Sequence, residues 1–230
     1  MGHRGGRHAR ARRRPRGELH LLFHLSLQQL VEGIPGLLLA IVLHEYAHAL
    51  VSTWLGDPTP GLQGRLSLNP LAHIDWVGMV MLWVFQFGWA RPVPIDPRYY
   101  RNPRVGLVLV AIAGPAMNVL LAFAGLLVIG YAPWPATGWG ISVVQILYLA
   151  VVYNVFFAVF NILPIPPLDG SRVLSTLSRE GARLMAAIEP WGWMLLIALV
   201  IFGLFGRILG PLAQGLLGVL QALSGVHLGA

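Results

Sequence analysis

The sequence predicts an all-α polytopic membrane protein with about four to six transmembrane helices and a re-entrant strand or loop between the first two core helices. Hydrophobic residues make up 56% of the 230 positions and charged residues only 11%, whereas soluble domains carry about 25% charged residues. The apolar residues also form runs that approach or exceed the roughly 20 residues needed to span a bilayer as a helix. Cysteine is absent, which excludes a disulfide framework and a cysteine-ligated metal site.

The first element is a basic segment, in which the first 16 positions hold seven of the 16 Lys and Arg residues. We interpret residues 1–18 as an Arg-rich disordered tail and residues 19–230 as a single domain. Beside an apolar body, such a tail is typical of a solvated, membrane-surface or topology-setting segment, so no nucleic acid partner is expected. Within the domain, the core is expected at 34–172 and the C-terminal helices at 189–228.

Four apolar runs are assigned as spanning helices because of their length and composition. They cover approximately residues 34–55, 105–130, 141–163 and 191–206. The segment 19–31 is too short and too polar to be assigned as a span. The last run, 211–226, carries Gln214 and Gln221 on one face, so it either lies in the membrane interface or makes a short span.

The segment between the first two spans, residues 57–104, differs from the runs around it because it is rich in Pro, Gly and Trp. Its apolar patch at 76–87 is short for a span. Irregular backbone at membrane depth must be buried in protein or line a wet cavity. A re-entrant strand or loop is therefore favoured here, with a short span as the alternative.

The first span is interrupted by His44, Glu45 and His48, in the pattern H-E-x-x-H. Residues four apart on a helix share a face, so both imidazoles can reach one metal ion. Glu45 would then lie beside the ion and could take a proton from bound water. Ionisable groups inside a span are costly and usually functional, which favours a catalytic site over two packed histidines.

A catalytic zinc ion needs three protein ligands and an open position for water, and the candidates for the third ligand are Glu32, Asp75 and Asp169. Asp169 follows three prolines within 164–167, which end the preceding helix, and Gly170 after it allows a tight turn. In soluble proteins Asp-Gly is more often an ordinary turn. Its position after a long apolar run favours Asp169 as the ligand.

Five motifs in this order resemble the site-2 protease family of intramembrane zinc metalloproteases, in its minimal subgroup without an inserted PDZ domain. They are HEYAH (44–48), GRLSLNPLAHID (64–75), GWARPVPI (88–95), GPAMN (114–118) and NILPIPPLDG (161–170). The resemblance implies that His44, His48 and Asp169 bind one Zn²⁺ per chain and that Glu45 is the general base. It also implies that Asn118 lies near the substrate or the oxyanion.

Taken alone, the remaining polar residues leave alternatives open. Asn118 either hydrogen-bonds a substrate carbonyl or ties two helices together, and Asn154 either lines the site as a second substrate-binding residue or joins helices. For His73 and Asp75, a cap on the following segment is favoured over a contact behind the metal ligands.

These patterns predict a zinc metalloendopeptidase that hydrolyses peptide bonds within or near the transmembrane segments of other membrane proteins. The stretch 88–95 is a candidate for a strand edge that holds an unwound substrate by β-augmentation. The principal alternative is a non-catalytic chaperone or regulator of the same fold that binds membrane segments, and the intact Glu45 argues against it. Another membrane zinc peptidase with a different third ligand, or a transporter, is a weaker alternative.

The expected partners are the lipid bilayer and a transmembrane protein substrate, and the oligomeric state is left open. The positive-inside rule places the arginines of 91–104 and 172–183 on the cytoplasmic side. We therefore expect a multi-pass protein of the cell membrane whose site opens toward the cytoplasm. With the HEYAH helix as the first span, the Arg-rich tail falls on the opposite side unless the segment 19–31 or the patch 76–87 adds a crossing.

Overall fold

The computed structural model describes residues 27–85, 88–135 and 138–228, and every regular element in those ranges is helical. The described residues form nine α-helices: α1 (Leu27–Trp54), α2 (Thr59–Leu62), α3 (Trp76–Phe85), α4 (Pro103–Tyr131), α5 (Trp139–Asn161), α6 (Asp169–Leu177), α7 (Arg179–Ile188), α8 (Gly192–Ile201) and α9 (Leu204–Ser224). Short 3-10 turns occur at Pro70–Ala72, Pro97–Tyr99 and Glu189–Trp191. The predicted all-α class is confirmed, and the Arg-rich tail lies outside the described residues.

Four helical stretches in the described part of the chain are long and apolar enough to cross a membrane: Val31–Trp54, Pro103–Tyr131, Trp139–Asn161 and Arg179–Ile201. The first three lie close to the predicted spans. The predicted fourth span, 191–206, is wrong in its bounds, because the observed stretch starts earlier with α7 and ends before Gly203, whose φ of 64° is left-handed. The run 211–226 lies largely within α9, a 21-residue helix that packs against α4, α5 and α8.

Helices α1, α4 and α5 pack against one another and form the centre of the molecule. The hydrophobic core between α4, α5 and α9 consists of Ala122, Leu126, Val151, Val155, Val159, Leu209, Ala213 and Leu220. On α1 the buried polar residues His44, His48 and Ser52 recur at every fourth position. Residues at this spacing share one face of a helix, so the bundle encloses a polar stripe of α1.

The segment between α1 and α4 is a folded loop that contains the two short helices α2 and α3. Its extended parts meet at one antiparallel β-bridge between Ile74 and Ala90, and the Arg91 amide donates to the His73 carbonyl at 2.8 Å. The described residues therefore form the loop that was expected rather than a re-entrant strand. With 10 residues, α3 is about 15 Å long, which is too short to span a bilayer.

Side-chain hydrogen bonds hold this loop together. Asp75 Oδ1 accepts from the Gly78 amide at 2.8 Å, so Asp75 caps α3 as predicted, whereas His73 contacts the Ser67 carbonyl through Nε2 at 2.7 Å. The buried Arg65 guanidinium donates to the carbonyls of Ala72 and Pro92. Arg65 thus joins the two sides of the loop near the β-bridge.

The end of α1 is attached to the chain that leads into α4 by the buried carboxylate of Asp57. Its oxygens accept from Ser52 Oγ at 2.8 Å, the Thr59 amide at 2.9 Å and the Asp96 amide at 2.8 Å. The Tyr100 hydroxyl donates to Ser52 Oγ at 2.7 Å. Burial raises the pKa of Asp57, but the hydrogen bonds from Thr59, Asp96 and Ser52 together lower it more, so its pKa lies below the ordinary value.

Candidate metal centre

Two helices bring the three predicted ligands together. His44 and His48 lie one turn apart on α1, and Asp169 is the first residue of α6. The two imidazole Nε2 atoms are 3.0 Å apart, and Asp169 Oδ2 lies 3.2 Å from Nε2 of His44 and 3.1 Å from Nε2 of His48. All three side chains are buried, and they form a group with the composition and spacing of a metal site.

The hydrogen bonds behind the two imidazoles determine where their protons reside. His44 Nδ1 lies 2.6 Å from Asn118 Oδ1, and His48 Nδ1 lies 2.7 Å from the Val110 carbonyl oxygen. Carbonyl oxygens only accept hydrogen bonds, so both Nδ1 atoms must carry the proton. In a neutral imidazole the opposite nitrogen then presents a lone pair. Both lone pairs face Asp169.

Asp169 Oδ2 is buried and has no hydrogen-bond donor among the described residues. The two imidazole nitrogens beside it present lone pairs, so three electron-pair donors face one another, and a cation would satisfy all of them. Ligand atoms around a tetrahedral zinc ion, with bonds of about 2.0–2.1 Å, lie about 3.3 Å apart. The observed separations of 3.0–3.2 Å fit this arrangement, and three ligands leave one position open.

Space for the imidazoles is provided by Gly114 on α4. A Cβ atom at this position would lie 2.6 Å from His44 Nε2 and would also collide with His48 Nε2. The following residue, Pro115, lies inside α4 and has no N–H to donate to the Ala111 carbonyl, which loosens the helix next to Val110. The Gly-Pro pair therefore gives the imidazoles room and lies beside the carbonyl that binds His48.

Asp169 is positioned by the irregular loop after α5, which ends at Asn161 as the prolines predict. Gly170 is required there because a Cβ would lie 2.6 Å from the Leu163 carbonyl oxygen and would also collide with the Ile162 carbonyl. Gly170 is thus needed because the backbone carbonyls of Ile162 and Leu163 lie too close to it for any side chain.

Glu45 lies on α1 beside the two histidines and is partly buried. Burial and Arg91 lower the pKa of Arg65, whereas Glu45 acts in the opposite direction. Glu45 is therefore within electrostatic range of the loop between α1 and α4.

Asn118 and Asn154 are both buried and hydrogen-bonded to each other. Asn118 contacts His44 on α1, and Asn154 on α5 contacts Asn118 on α4. The two amides therefore join three helices behind His44, one of the two roles left open by the sequence. Sequence reasoning missed the Val110 carbonyl and the space at Gly114, although a Gly-Pro pair inside an apolar run was a visible signal.

Comparison with known proteins finds a family model and several relatives that resemble this chain. Residues 135–203, which include Asp169, match the family model described as Peptidase family M50. The protein YwhC of Bacillus subtilis is 38% identical over 181 residues, which cover 76% of this chain and 83% of YwhC. Rip2 of Mycolicibacterium smegmatis is 31% identical over 73% of this chain and 66% of its own length. Both relatives are provisionally named zinc metalloproteases. No solved structure matches the chain.

Proposed function

Since the chain belongs to peptidase family M50, the site-2 proteases, and is a zinc metalloprotease with apolar helices long enough to span a membrane, we propose that it cuts within or beside transmembrane segments of other membrane proteins. The observation that carries this proposal is the position of the ligand set. His44 and His48 lie inside an apolar helix of spanning length, and Asp169 meets them in the interior of the helix bundle. A substrate that reaches this site has to come from the membrane or its boundary.

In this proposal His44, His48 and Asp169 hold the ion and Glu45 is the general base. When bound, the zinc ion would polarise the scissile carbonyl and lower the pKa of a water molecule toward about 7. Glu45 takes a proton from that water as its oxygen bonds to the carbonyl carbon. Glu45 then returns the proton to the amine nitrogen as the peptide bond breaks.

The loop between α1 and α4 is the proposed substrate holder. A transmembrane helix hides its carbonyls in its own hydrogen bonds, so the substrate must unwind and be held extended. Val93 lies between two prolines, and its own N–H and carbonyl have no hydrogen bond to the described part of the chain. This backbone could pair with an extended substrate by β-augmentation, beside the bridge formed by Ala90.

We also propose that the site opens toward the cytoplasm. The Ser52–Tyr100 hydrogen bond brings the end of α1 close to the start of α4. Arg98, Arg101 and Arg104 lie at this same end of the bundle, near the start of α4. Positive residues beside spanning helices favour the cytoplasmic face of the membrane. In this proposal the C-terminal end of α1, which carries the HEYAH motif, therefore lies at the cytoplasmic face of the cell membrane.

The test is metal content together with proteolysis in detergent, for the wild-type protein and the variants Glu45→Gln and Asp169→Ala. The proposal predicts about one zinc ion per chain in the wild type and in Glu45→Gln, loss of zinc in Asp169→Ala, and cleavage of a transmembrane substrate by the wild type alone. Cleavage by Glu45→Gln at the wild-type rate would remove Glu45 from the mechanism. Zinc retained by Asp169→Ala would require a different third ligand.

A further inference from the structure

The amide of Asn118 has a defined orientation because three neighbours bind it. Its Oδ1 accepts from His44 Nδ1, and its Nδ2 donates to the Ala40 carbonyl at 3.1 Å and to Asn154 Oδ1 at 2.9 Å. Both nitrogen partners are acceptors. A flipped Asn118 would direct its oxygen at two acceptors and its NH₂ group at His44.

The orientation of Asn154 is defined in turn by the main chain of α5. Asn154 Nδ2 donates to the Ala150 carbonyl at 2.8 Å, and a carbonyl oxygen can only accept. Asn154 Oδ1 must therefore point toward Asn118. The chain of bonds runs from the α5 backbone through two amides to His44 Nδ1, and each donor and acceptor is determined by the one before it.

The consequence at the metal centre concerns the His44 proton. With Asn118 Oδ1 facing the ring, the proton stays on Nδ1 and the Nε2 lone pair faces Asp169. With the amide flipped, Nδ1 would have to accept, the proton would move to Nε2, and His44 could not bind a metal ion. The orientation of Asn118, which is not itself a metal ligand, thus decides whether His44 can bind the ion through Nε2.

We propose that Asn154 is a positioning residue of the metal centre: it holds the Asn118 amide in the orientation that keeps His44 in its metal-binding tautomer. This inference rests on the proposed metal site and gives Asn154 a role other than the substrate contact predicted from the sequence. A purely interhelical role for Asn154 would affect stability and leave the His44 proton where it is.

The experiment uses the full chain in detergent with Asn154→Leu, which keeps a similar volume without polar atoms, and Asn154→Asp, whose protonated carboxyl can repeat both hydrogen bonds. Val155→Ala is the matched control, because Val155 is the next residue, is buried in the core and is no part of the amide chain. Nitrogen-15 spectra of labelled histidine in chelator-treated protein report the tautomer, with His44 identified by its loss in His44→Gln. Chelator competition reports zinc affinity, and thermal melting reports stability.

We expect Asn154→Leu to weaken zinc binding by about 10-fold, the lower end of the range for residues behind metal ligands, and to add the Nε2–H tautomer of His44. Asn154→Asp should restore both measurements, and Val155→Ala should lower the melting temperature with neither changed. If Asn154→Leu does not fold, Asn154→Ala carries the same test. An unchanged tautomer and zinc affinity in the variant, or equal losses in Val155→Ala, would overturn the inference. If the wild type binds no zinc but Asn154→Leu still adds the Nε2–H tautomer of His44, the metal site is refuted, whereas the effect of Asn154 on the His44 proton stands.

Discussion

Gly114 of α4 faces the imidazole of His44 so closely that a Cβ atom would lie 2.6 Å from its Nε2. Contact at this distance forces either the imidazole or α4 to move, and the helix is anchored by its packing on α1 and α5. We therefore expect Gly114→Ala to displace the ligands and weaken zinc binding by at least about 10-fold. Chelator competition on the purified variant measures the loss.

Gly125→Ala is the matched control for this prediction, because it adds the same methyl group to the same helix. A Cβ there would meet the Val151 side chain at 2.7 Å, which belongs to the apolar core and not to the metal centre. This variant should lose stability but keep its zinc affinity. Equal zinc losses in both variants would mean that α4 responds to any added methyl group.

Asn118 is predicted to act on the metal as well as on any substrate. Replacing it by leucine removes the acceptor for His44 Nδ1 and leaves a buried N–H without a partner, which we expect to lower zinc affinity by about 10- to 100-fold. The measurement is zinc affinity in the absence of substrate. Wild-type zinc affinity combined with impaired cleavage would instead assign Asn118 to the substrate alone.

The fold was predictable from the sequence where one physical effect dominated. The apolar runs of α1, α4 and α5 had to form helices because each satisfies its own backbone groups in a membrane. The bounds of the fourth span were wrong for two reasons. The charged residues of α7 kept this helix out of the predicted apolar run, and hydropathy does not indicate the left-handed turn at Gly203 that follows α8. Glycine favours such a turn because it has no Cβ, but Gly210 and Gly215 lie inside α9, so a glycine alone did not indicate where the helix ends.

The candidate site was likewise predictable from the sequence only in part. The spacing of His44 and His48 on one helix is local, so their convergence followed from helix geometry. The Val110 carbonyl and the Asn118 amide approach these rings from α4, and that approach depends on the register between α1 and α4. No pattern within one helix contains this register, so the groups that hold the imidazole protons could not be predicted.

Asp57 should make a pH-dependent contribution to stability. Its pKa is below the ordinary value in the folded protein, so the stabilisation is present above its unfolded pKa of about 3.9 and is lost as the pH falls through the lower folded value. We expect Asp57→Asn to lower the free energy of unfolding by about 1–3 kcal/mol at pH 7, since three donors lose their anionic acceptor. Thermal melting at pH 7 and near pH 3 measures the difference from wild type, which should shrink in acid.

Asp96→Asn is the control for Asp57, because the Asp96 carboxylate pairs with the exposed Arg98. An exposed pair contributes little to stability, so this variant should melt close to wild type at both pH values. Its amide, which donates to Asp57, is unaffected by the substitution. A difference between Asp57→Asn and wild type that is the same at pH 7 and pH 3 would mean that the side-chain change, and not ionisation, destabilises the protein.

Val93→Pro tests the substrate-holding role of the loop between α1 and α4. The substitution removes the one N–H between Pro92 and Pro94 and should leave the ligands unchanged, so zinc content should match wild type. If this N–H pairs with the substrate, misplacement of the scissile bond should lower the cleavage rate by about 10- to 100-fold. Single-turnover cleavage of a transmembrane substrate is the measurement.

Val93→Ala separates the backbone from the side chain in this last test. The Val93 side chain is buried, so its truncation removes packing while the N–H remains available to a substrate. The alanine variant should therefore cleave much faster than the proline variant. Equal losses would assign the effect to packing of the loop, and unimpaired cleavage by Val93→Pro would exclude β-augmentation at this position.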